Sequence, residues 1–125
     1  MIACEPSETE VLRALVPPDA WIVTARSVDD AAERMAKGVD AVVCSMDFDD
    51  SRMLELVKEA HDKQPALPVL CCRVFGSRIS DTCLPAAALA ALSMGVGAFV
   101  DLAKRAPVFG ADAAELAAAL VRLLG

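Results

Sequence analysis

The chain has 125 residues, of which 56% are hydrophobic and only 4% aromatic, and its formal net charge is −6. That length suits one domain over residues 1–125 with a single ordinary core. The acidic balance, with no basic stripe to offset it, argues against direct nucleic-acid binding, and no apolar run reaches membrane-spanning length.

Residues 1–4 are a short apolar strand candidate ending at Glu5-Pro6. Ser7 is expected to cap the next helix, with Glu10 closing a capping box and Val11, Leu12, Leu15 and Val16 as its buried stripe. Pro17-Pro18-Asp19 ends it, and residues 21–25 form a second strand. Ser27 caps a second helix whose Val28, Ala31, Ala32 and Met35 share one face, and Gly38 is placed as its C′ glycine. Residues 40–45 make a third strand, followed by the acidic loop of Asp47, Asp49 and Asp50. A third helix is expected from about Ser51, burying Met53, Leu56, Val57 and Ala60 while Lys58, Glu59, Asp62 and Lys63 face water. Residues 69–74 are a fourth strand, apolar except for Arg73. A polar loop leads to an Ala/Leu helix over residues 84–94, closed by Gly95, and residues 97–101 form a fifth strand. A loop with Pro107 and Gly110 then reaches Asp112, the expected cap of a last helix with Leu116, Leu120, Leu123 and Leu124 as its core face.

Alternating strands and helices, with nearly continuous apolar strands, predict a parallel sheet covered on both sides. Right-handed crossovers favour a doubly wound α/β sheet in the order 2-1-3-4-5. Its functional crevice then lies at the carboxyl ends of the first and third strands, which sets Glu5 beside the loop from Ser45 to Asp50. The five cysteines fall mostly in strands and include no C-x-x-C, so reduced thiols in a cytoplasmic protein are expected. The absence of a signal-peptide pattern after Met1 agrees with that location.

Order, lengths and local signatures resemble the receiver domain of bacterial two-component response regulators, a flavodoxin-like (βα)5 three-layer sandwich. Asp40-Ala41-Val42-Val43-Cys44 resembles the family's third strand, and Leu54-Glu55-Leu56-Val57 falls at the family's distance into helix three. Leu67-Pro68-Val69-Leu70 and Ala91-Leu92 through Gly95 with Ala98-Phe99-Val100 extend the resemblance over nearly the whole chain. In receivers an aspartate ending strand three accepts a phosphoryl group and an acidic pair after strand one holds Mg²⁺. A Thr or Ser ending strand four and a Lys ending strand five then contact the phosphoryl group. Here those positions read Ser45, a single Glu5, Arg73 and Leu102, with Glu8 assigned to capping. A serine without a general base is a poor nucleophile. The resemblance therefore implies a degenerate, phosphorylation-independent pseudo-receiver with no metal, cofactor or catalysis.

Arg73 is expected to pair with Glu5 or Asp47 across the pocket rim, the alternative being a solvent-facing guanidinium. Asp47, Asp49 and Asp50 read as loop solvation and as charges favouring the helix-three N-terminus. The family's helix 4–strand 5–helix 5 face implies another protein, or a second copy, as partner. Leu84, Leu89, Phe99, Ala113 and Ala117 are its candidate contacts. Two alternatives remain: a small-ligand crevice near Glu5 and Ser45, and a cysteine phosphatase using the C-x5-R spacing from Cys72 to Arg78.

Overall fold

The computed structural model describes residues 1–75, 83–102, 106–107 and 118. Five parallel strands, β1 (Ile2–Ala3), β2 (Thr24–Ala25), β3 (Val42–Ser45), β4 (Val69–Arg73) and β5 (Ala98–Asp101), lie in the order 2-1-3-4-5. A short β6 (Ala106–Pro107) adds antiparallel to β5 at the far edge. The sequence reads as loop there, and among the described strands β6 is at the edge, a position where proline is tolerated. The helices are α1 (Thr9–Arg13), α2 (Val28–Ala36), α3 (Met53–Lys63) and α4 (Leu84–Ser93). The helix expected over residues 112–124, with Ala113 and Ala117, falls outside the described residues. Among the described residues no helix is long and apolar enough to cross a membrane.

Register explains the two-sided core. Ala3, Cys44, Cys71 and Phe99 are successive partners across four strands and belong to one buried cluster. Ile2, Val43 and Leu70 form the equivalent row of the other cluster, and Cys72 and Val100 belong to it as well. Period-two alternation assigns each strand residue to one side. Four of the five cysteines are buried in these two clusters, and all five are free thiols.

The helices dock as their apolar spacing requires. Met53, Leu56, Val57 and Ala60 are all buried on α3, and Ala31 and Met35 are buried on α2. Ser27 Oγ accepts from Asp30 N–H at 3.0 Å, which caps α2, and Gly38 follows it with φ 102°. Gly95 ends α4 in the same left-handed region at φ 97°. The first helix differs from expectation. Its entry is a 3-10 turn, Pro6–Glu8, capped at Glu5, and Glu5 N–H donates to Glu8 Oε1 at 2.9 Å. The capping pair is thus Glu5 with Glu8 rather than Ser7 with Glu10, because Pro6 sits where its missing N–H costs least.

Candidate functional site

The carboxyl end of the sheet is closed by two buried polar pairs. The first joins strand ends. β4 and β5 set Arg73 directly opposite Asp101, and the guanidinium grips the carboxylate with two parallel bonds. Nε donates to Oδ1 at 3.0 Å and Nη2 to Oδ2 at 2.6 Å. Both residues are 2% exposed. This is the fork-to-fork geometry that makes Arg–carboxylate pairs short and directional. The expected partner of Arg73 is Glu5 or Asp47; the carboxylate in this bidentate pair is Asp101.

The second pair centres on Glu8. Ser45 ends β3 fully buried, and its Oγ donates to Glu8 Oε1 at 2.6 Å. The same Oε1 takes the Glu5 N–H, whereas Glu8 Oε2 is buried with no hydrogen-bond partner among the described residues. Burial pushes the Glu8 pKa up, and the nearby charges of Asp47 and Glu5 add to this. The bonds from Ser45 and Glu5 pull the other way. Glu8, assigned to capping in the sequence, is therefore a pocket residue. Its one legible signal was a carboxylate three residues after a cap at Glu5.

The other predicted residues divide. Glu5 is half-buried, and Asp47 is buried rather than solvating the loop. Leu102, expected at the family's lysine position, packs its side chain against the Cys72–Val100 cluster. Asp49, Asp50 and Ser51 have φ of 47°, 57° and 67°, so α3 begins at Met53. Aspartate tolerates this left-handed region better than most residues. Asp49 also gains a partner by it, since Val28 N–H donates to its Oδ2 at 2.9 Å. The acidic loop thus serves the N-terminus of α2, where the sequence reading had placed its charge on helix three. Asp49→Ala is expected to lower stability by about 1 kcal/mol, the usual worth of an N-terminal cap, seen as a lower urea midpoint with unchanged slope.

Mg²⁺, which a receiver-like pocket implies, does not fit this donor set. The strand-three carboxylate is replaced by a hydroxyl already donating to Glu8, and the strand-four position carries a fixed guanidinium. Among the described residues no three His, Cys, Asp or Glu side chains are placed to hold a metal ion. Cys72 is fully buried between Ser45 and Val100, and burial pushes its thiol well above the ordinary range. A cysteine nucleophile needs the opposite shift. Arg78 lies outside the described residues.

On the expected partner face, Leu84 and Phe99 are buried, at 5% and 0% exposure, and belong to the core rather than to a contact surface. Helical and strand periodicity turn both toward the sheet. Leu89 is 60% exposed and stands on the outer side of α4.

No family model matches the sequence, and comparison with curated proteins finds no match. Among solved structures, the fold is similar to that of a two-component response regulator of the LuxR family from Aurantimonas sp. SI85-9A1. The TM-score is 0.71 at 20% identity, covering 98% of this chain and 81% of that one. The chain has a receiver fold. Ser45 and Arg73 are the last residues of β3 and β4, and Leu102 follows the end of β5.

Proposed function

We propose that this chain is a pseudo-receiver, a signalling module that engages a protein partner without being phosphorylated. The observation that carries the reading is the buried Arg73–Asp101 pair. A cation fixed by two bonds at the end of β4 stands where a receiver needs a small hydroxyl. Ser45 supports the same reading, because a hydroxyl, already donating to the buried Glu8 at 2.6 Å, stands where a receiver carries a carboxylate. The module is read as a non-enzymatic, cytoplasmic, bacterial protein, with neither nucleic acid nor a cofactor as its ligand. Its partner surface is the outer side of α4, centred on Leu89, together with the edge of the sheet beyond β5.

Incubation with acetyl phosphate and Mg²⁺, read by intact mass, tests this. The expected outcome is an unchanged mass for the wild-type chain and for Ser45→Asp alike, because the variant restores a carboxylate but leaves the guanidinium in place. A phosphoryl adduct on the wild type overturns the pseudo-receiver reading. An adduct confined to Ser45→Asp leaves serine as the cause of silence and removes Arg73 from the explanation.

A further inference from the structure

The amino end of the sheet, opposite the Ser45 pocket, holds a cavity of about 440 Å³, within the size range of small-ligand sites. Its lining is mixed, with Val16, Ile22, Val39 and Val43 supplying aliphatic side chains. Asp19 and Asp40 also line it, and the described lining includes no lysine or arginine. Arg13 lines the adjoining groove and faces Glu10 at 4.0 Å. Trp21 stands at the rim of both cavity and groove and is 93% exposed, although it is the only tryptophan in the chain.

The Met1 nitrogen donates to Ala41 O at 2.7 Å on the Asp40 side of the cavity wall. Asp19 has no cationic partner among the described residues. A partly aliphatic hollow, a carboxylate without a cationic partner among the described residues and an exposed indole together suit one ligand chemistry. The apolar body is buried, the carboxylate attracts a positive head, and the ring quadrupole favours a cation over an anion or a neutral group.

We propose that this cavity binds a small organic ammonium ion with an aliphatic body, its head beside Asp19 and Trp21 and its chain on Val16, Ile22 and Val39. The site is independent of the strand-end pocket and of the pseudo-receiver reading, since it lies at the other end of the strands.

The sole tryptophan supplies the readout. The protein is titrated with hexyltrimethylammonium while Trp21 emission is followed, with hexanoate and hexanol as matched probes. A saturable change with the ammonium is expected, absent with hexanoate and weaker with hexanol. Asp19→Asn is expected to weaken binding roughly two- to five-fold, the size of one exposed charge interaction. Trp21→Phe, followed by calorimetry, is expected to weaken it by a similar factor. An equal response to hexanoate, or no saturable response to the ammonium, overturns the proposal. So does an emission change that grows with protein concentration alone, which assigns the surface to a second copy of the chain.

Discussion

Asp101→Ala is expected to lower folding stability by roughly 3–5 kcal/mol, the cost of removing one partner from a buried ion pair. Both side chains are almost completely excluded from water, and Asp101 supplies both acceptors of the bidentate contact. Without it, the guanidinium stays buried and loses both bonds of the bidentate contact. The measurement is a urea transition, with a fall in midpoint and an unchanged slope. A second variant separates the pair from the space it fills. Arg73→Met with Asp101→Leu replaces both charges by apolar groups of similar size, and is expected to recover most of the loss. If Asp101→Ala costs under about 1 kcal/mol, the pair behaves like an exposed salt bridge and does not hold the strand ends.

Glu8→Ala is expected to be the next most damaging change, at about 1–3 kcal/mol for each buried group it leaves unpaired. Ser45 Oγ and Glu5 N–H both lose Oε1, their acceptor. Glu8→Gln keeps an oxygen in that place and removes the titration, so it isolates the effect of pH. Burial raises the Glu8 pKa, so the folded chain binds this proton more tightly than the unfolded chain does. The contribution is fully present below the unfolded-chain carboxyl range and is lost as pH rises through the raised folded value. Stability of the wild type relative to Glu8→Gln should therefore fall with rising pH across that window and level off above it. Thermal midpoints of both proteins at matched pH values test the difference, which cancels the other carboxylates. A difference that stays flat with pH removes Glu8 as the titrating group.

The residues that carry these effects were unequally visible in the sequence. Arg73 stood out because a lone charge ended an apolar strand, and Ser45 because it ended another. Neither signal could name the bonding partners found here. Asp101 looked like the ordinary polar end of a strand, and Glu8 like part of a helix start. Asp49 was legible as acidic, yet its bond to Val28 N–H depends on how the loop after β3 meets α2. Leu84 and Phe99 were assigned to a surface by resemblance, whereas packing places them in the core.

The sequence by itself determined the strand order, the apolar faces of α2 and α3, and the glycines that end α2 and α4. Those features follow from periods of 2 and 3.6 residues and from backbone conformations that few residues adopt. Only the tertiary structure decided the chemistry at the strand ends. Arg73 and Asp101 are 28 residues apart, and Glu8 and Ser45 are 37 apart. Such pairs are set by strand register and by the cap chosen at Glu5, and local composition encodes neither. Burial then decides their strength, since the same groups exposed to water would be screened and interchangeable.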